Sequence, residues 1–247
     1  AQCMYAKRVS FTNNSTNATV TMSWNWNFGD GTTSTQYSPA HSYAAPGTYN
    51  VVVTATSDKG CTGTKNFVVT INRQPVVSFA PNTGTQCLLN NNFVFANSST
   101  VTGGTLTYQW KFGDGGTSTT ASPSHSYTQP GTYPVHLVVT TNNGCKDSLT
   151  QSVVVAPMPN MQVAGNNNMQ CVNGNNFTFT NNSTILTGSM TWHWDFGDGV
   201  TSAQFNPGHT YTTPGNYFVT VTATSDKGCT DTKSINITVY SKPVISF

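Results

Sequence analysis

The chain states the same text three times, and that limits every fold open to it. Trp26-Asn27-Phe28-Gly29-Asp30-Gly31 returns as Trp110-Lys111-Phe112-Gly113-Asp114-Gly115, then as Trp194-Asp195-Phe196-Gly197-Asp198-Gly199, in two equal steps. The same step links His41, His125 and His209, then Pro46, Pro130 and Pro214. It links Cys3, Cys87 and Cys171, and separately Cys61, Cys145 and Cys229. No insertion breaks the register. A chain of 247 residues with this period divides into three small domains, each near the lower end of what folds alone.

Each copy reads as strands. Phe93-Val94-Phe95 and Phe177-Thr178-Phe179 alternate, as does Asn236-Ile237-Thr238-Val239, with 51–56 in looser form. Gly-Asp-Gly, Pro-Gly and Lys-Gly punctuate them at short intervals. Nothing shows a convincing 3.6-residue period. Composition agrees: charged residues are 7%, with eight Asp and no Glu, so the side chains that solvate long helices are scarce. Net charge is +2, spread over eight Lys and two Arg without a cluster. That leaves no footprint for phosphate, and no nucleic-acid partner is expected. No apolar run approaches the ~18–20 residues of a membrane span, so membrane insertion is not expected either. Short strands with regular turns point to a β-sandwich.

The repeated text resembles the PKD (polycystic kidney disease) domain. The residues that carry the resemblance are the W-x-F-G-D-G run and His-x-Tyr (His41/Tyr43, His125/Tyr127, His209/Tyr211). A Pro-Gly-x-Tyr corner ending at Tyr49, Tyr133 and Tyr217 completes it. The resemblance implies an all-β chain of three tandem immunoglobulin-like sandwiches in an extracellular setting, and no reaction. Repeat one is then 1–74 and lacks its first strand; repeats two and three are 75–158 and 159–242. The remainder, 243–247, is the first strand of a following repeat or a donor strand.

Two motifs here invite chemistry. Asp30, Asp114 and Asp198 each offer one ligand to calcium, but calcium takes six to eight oxygens. The loop is therefore read as a tight turn whose Asp accepts backbone N–H bonds, with Trp26, Trp110 and Trp194 filling the cores. His41, His125 and His209 have no nucleophile elbow or metalloprotease helix near them in sequence. Three equivalent histidines in the same turn are read as structural hydrogen-bonders, so no enzyme and no cofactor is expected.

The cysteines fall two per repeat, equally spaced in each, with no C-x-x-C spacing for zinc. Equal repeats favour equal pairing inside each one: Cys3–Cys61, Cys87–Cys145 and Cys171–Cys229. The alternative, Cys61–Cys87 and Cys145–Cys171, runs between neighbours and leaves Cys3 and Cys229 over. Either implies an oxidising compartment, hence secretion or the cell surface. Asn-x-Ser/Thr sequons stand at Asn13, Asn14, Asn17, Asn97, Asn176, Asn181, Asn182 and Asn236, and Asp147-Ser148-Leu149 resembles an O-glycan acceptor. Glycans would supply the solubilising layer that so few charges cannot.

Repeats two and three each open with a short strand, 75–79 and 159–163. Repeat one has no such segment, and its counterpart is Pro243, Val244, Ile245, Ser246 and Phe247 at the far end. An open sandwich edge is an aggregation hazard unless filled. A strand from a second copy, head to tail, would fill it; so would further repeats of the same chain. The sequence therefore reads as a structural or adhesive extracellular protein, a repeat rod or filament subunit. The alternative is an accessory binding or spacer module of a secreted hydrolase.

Overall fold

The computed structural model describes residues 2–4, 8–16 and 21–246. Among them there is no helix, and so none long and apolar enough to cross a membrane. Two compact units divide the chain: 1–80, 95–123 and 135–151 form one, and 81–94, 124–134 and 152–247 the other.

In the first unit the dominant element is a long hairpin, Gly47–Ser57 against Thr62–Asn72, in unbroken antiparallel register from Gly47↔Ile71 to Thr56↔Thr62. Met22–Asn27 pairs with its inner strand and Thr33–Ser34 closes that side. On the other side Gln2–Cys3 runs parallel to the end of Thr62–Asn72. A smaller sheet, Val9–Ser10 with Ala40–His41, lies opposite. Strand alternation decides what is buried. Met22, Trp24 and Trp26 share one face of their strand, where Trp26 meets Phe11, Phe28, Tyr43, Val51 and Ile71 in one core. From the second repeat this unit takes Leu106–Lys111, paired with Thr117–Ser118 and with 136–141.

The second unit holds the same design two repeats later. Gly215–Ser225 pairs with Thr230–Tyr240, flanked by Met190–Asp195 and Thr201–Ser202 on one side and parallel Met169–Cys171 on the other. Its smaller sheet has three strands, Val163–Gly165, Phe177–Asn181 and Gly208–His209. From the second repeat it takes Thr85–Cys87, parallel to 154–156, and Phe93↔His125. The fold is the all-β sandwich read from the sequence, with roughly 80–85 residues to each domain.

The opening strands are shorter than the sequence suggests. Of 75–79 only Phe79 enters a ladder, Phe79–Pro81; Val76 makes a lone bridge to Thr100. In the third repeat Asn160 bridges Thr184 before Val163–Gly165 begins. At the far end 241–246 carries no regular structure and is exposed. Phe247 lies outside the described residues, as does Asn17.

Candidate functional site

The repeated motif residues come together around an aromatic stack. The Asp30 carboxylate accepts from the Thr32 backbone N–H (3.1 Å) and hydroxyl (2.6 Å) through one oxygen, and meets His41 Nε2 at 2.7 Å through the other. His41 stacks on Phe28 at 4.2 Å and meets Tyr43 edge-on. The Tyr43 hydroxyl donates to the Phe28 carbonyl. Third-repeat geometry is the same: Asp198 to His209 at 2.7 Å, His209 on Phe196 at 4.2 Å, Tyr211 hydroxyl to the Phe196 carbonyl. In the second repeat, Asp114 accepts from the Gly116 N–H and His125 meets Tyr127 edge-on, each within its own unit. The indole N–H groups of Trp26, Trp110 and Trp194 donate to the carbonyls of Gln36, Thr120 and Gln204.

Electrostatics follow from that packing. Burial works to raise the Asp30 carboxyl, but Thr32 and the His41 ring together outweigh it and hold it below the usual 3.8. Burial, with Asp30 and Tyr49 adding to it, pushes the Tyr43 hydroxyl up to about 12, and Tyr211 moves the same way. The carboxylate's oxygens are thus committed to the turn and the histidine. Among the described residues no three His, Cys, Asp or Glu side chains gather as a metal site. Two glycan acceptors, Asn13 and Asn181, are buried; Asn14, Asn176, Asn182 and Asn236 are exposed.

The cysteines overturn the expected pairing. The bonds are Cys3–Cys145 and Cys87–Cys229, each spanning 142 residues, and Cys61 and Cys171 are unpaired and exposed. Neither the intra-repeat set Cys3–Cys61, Cys87–Cys145, Cys171–Cys229 nor the alternative Cys61–Cys87, Cys145–Cys171 is present. Strand length explains the first failure. Cys3 lies beside Asn72, at one end of the eleven-residue strand Thr62–Asn72, while Cys61 sits in the turn at the other end. Eleven residues of strand rise about 35 Å, whereas bonded cysteines hold their Cα atoms about 4.4–6.8 Å apart. The strand-borne cysteine therefore reaches forward, to the hairpin turn of the next repeat.

Both halves of this stitch are built identically. Each turn cysteine is fixed by a hydroxyl four residues back: Cys61, Cys145 and Cys229 N–H groups donate to Ser57 Oγ, Thr141 Oγ1 and Ser225 Oγ at 3.0–3.1 Å. Each strand-borne cysteine sits opposite the last residue of its sheet's long outer strand: Cys3↔Asn72, Cys87↔Ala156, Cys171↔Tyr240. Two asparagines that sequence reasoning missed support the loop behind it. Asn91 accepts from the Tyr127 N–H at 2.7 Å and donates to the carbonyls of Tyr127 and Leu88; Asn175 does the same with Tyr211 and Val172. Their recurrence at the repeat step was the available signal.

The repeat has counterparts among known proteins. The model of the PKD domain matches residues 3–71, 72–157 and 154–239. The pre-pro-metalloprotease PrtV of Vibrio cholerae is 38% identical over 88 residues, 36% of this chain and 9% of that protein. Collagenase ColA of Bacillus cereus is 42% identical over 69 residues, 27% of this chain and 7% of that protein. The chain thus matches less than a tenth of either relative's length. Among solved structures, the PKD1 domain of Vibrio anguillarum Epp is 35% identical and covers 34% of this chain and 95% of its own, with a TM-score of 0.31. With three tandem matches along nearly its whole length, this chain belongs to the PKD domain family.

Proposed function

We propose that this chain is a non-catalytic spacer of a secreted or cell-surface protein: sandwiches in series that separate other parts and carry tension between them. The observation that supports it most is the forward stitch. Each disulfide joins one repeat to the hairpin turn of the next, so force entering one sandwich passes to its neighbour through a covalent bond as well as through the linker. Disulfides also fit the oxidising compartment of a secreted protein. The relatives are a metalloprotease and a collagenase by name, and the matched segments are small parts of them. This favours an accessory role over an independent filament.

Single-molecule pulling through residues 3 and 229 tests the mechanical reading. With both bonds intact, the shortest covalent path crosses from Cys3 to Cys145, runs back along the chain to Cys87 and crosses to Cys229. That path holds only about a quarter of the backbone between the two handles. Reduction should therefore release roughly 170 residues and lengthen the fully stretched chain by about 550–600 Å. Equal lengths with and without reductant would remove the support. Retention of the chain on collagen or insoluble polysaccharide would instead favour a binding module.

A further inference from the structure

The joints between repeats carry two clefts at equivalent positions, each inside one compact unit. The cleft after repeat one has a volume of about 280 Å³ and is lined by Thr48, Thr70, Asn72, Arg73, Asn142 and Asn143. One repeat step later the counterparts are Thr132, Val154, Ala156, Pro157, Asp226 and Lys227, around a cleft of about 430 Å³. Asn142 N–H donates to the Thr105 carbonyl at 3.1 Å, and Asp226 N–H to the Ser189 carbonyl at 3.0 Å. One backbone frame therefore serves both clefts, with different chemistry in each.

The linker segment sharpens the contrast. Asn72-Arg73-Gln74 stands where the second joint has Ala156-Pro157-Met158. Ala156 is 1% exposed and belongs to the core. Asn72 is 9% exposed, yet its Nδ2 is buried without a hydrogen-bond partner, and so is Gln74 Oε1. Buried amide atoms left unpaired cost stability, and the second joint is built from residues that avoid that cost. Charge differs in the same sense. At the second joint Lys227 pairs with Asp226 at 3.4 Å. At the first, Arg73 is exposed and joins no ion pair among the described residues. Asp147, which lines an adjoining hollow that shares Arg73, is not its partner.

We propose that the first cleft binds a small hydroxylated monocarboxylate of sugar-acid size, its carboxylate on Arg73 and its hydroxyls among Thr48, Thr70, Asn142 and Asn143. A guanidinium fork matches a carboxylate bidentately. One cation balances one negative charge, which a phosphate exceeds at pH 7. The hydroxyls and amides of the lining offer donors and acceptors together, as ligand hydroxyls require. A volume just below that of drug-sized pockets keeps the ligand small. The Asn72 amide turns about a soft terminal torsion, and its Nδ2 then donates to a ligand oxygen. A ligand held between two repeats fastens that joint, so the site is compatible with a spacer and does not depend on the chain carrying tension.

Isothermal titration calorimetry on the whole chain tests this, with glucuronate as the probe and glucose, acetate and inorganic phosphate as comparisons. Wild type should bind glucuronate at least about tenfold more tightly than any of the three, the worth of a charge-assisted pair. Arg73→Gln keeps an amide at that exposed position and should lose the preference over glucose. Asn72→Ala/Arg73→Pro/Gln74→Met installs the residues of the second joint. It should abolish binding and raise the melting temperature of the ligand-free chain, because the unpaired buried atoms are gone. Failure of glucuronate to bind, or binding no tighter than that of glucose or phosphate, would overturn the proposal. So would binding that survives the triple substitution. A triple variant that melts below wild type would count against the unpaired amides as the signal, and the Arg73→Gln comparison then decides the binding by itself.

Discussion

Removing one stitch gives the most quantitative consequence of this architecture. The Cys3–Cys145 bond closes a loop of 142 residues. The chain-entropy relation makes such a closure worth about 5 kcal/mol at 25 °C, as an upper figure, because real unfolded chains retain structure and the second bond overlaps the first loop. Cys3→Ala/Cys145→Ala removes the bond without placing a hydroxyl at the fully buried Cys145 position. Cys61→Ala is the control: it is exposed and unbonded and should change stability by no more than about 0.5 kcal/mol. Tryptophan fluorescence during guanidinium denaturation reads both, since Trp26 and Trp110 are core residues of the repeats the bond joins. Domains in series need not unfold in one step, so the observable is the midpoint of the earliest transition. That midpoint should fall by the equivalent of about 2–5 kcal/mol in the double variant. A shift under about 1 kcal/mol, or one matched by Cys61→Ala, would refute the loop-closure reasoning.

Other perturbations probe the turn. The Asp30 carboxyl is held below its unfolded value of 3.8, so its contribution is complete above that pH and is lost as pH falls through the folded value. The stability difference between wild type and Asp30→Asn should thus shrink as pH falls below about pH 4 in acid titration. Gly197 has φ +80°, and a Cβ there would lie 2.9 Å from the Phe218 carbonyl oxygen, while Gly199 at φ +90° has open space. Gly197→Ala should therefore cost about 1–3 kcal/mol and more than Gly199→Ala, as measured by thermal unfolding. Chelation with EDTA should leave the melting temperature unchanged, because the loop carboxylate is already satisfied by Thr32 and His41; a fall of about ten degrees would mean a bound ion.

The period, the strands and the turn were legible because each rests on local chemistry. Gly29 and Gly31 adopt positive φ, the condition a Gly-Asp-Gly turn meets without a Cβ penalty. Trp26 and Phe28 alternate inward as period-2 patterning requires. The disulfide sense was not legible. The spacing within a repeat and the longer one to the next repeat both recur in the sequence, and only strand length and the position of Cys3 beside Asn72 decide between them. Thr85–Cys87 also escaped notice, because three residues joining a sheet edge in parallel carry no alternation of their own. Asn91 and Asn175 look like ordinary loop asparagines; their role depends on Tyr127 and Tyr211, 36 residues away.

Peptide mapping of the oxidised chain under non-reducing conditions tests the forward stitch most directly. The fragments carrying Cys3 and Cys145 should be recovered joined, and those carrying Cys87 and Cys229 joined, each across 142 residues. Recovery of Cys3 with Cys61, or of Cys87 with Cys145, would place both bonds inside single repeats and contradict it.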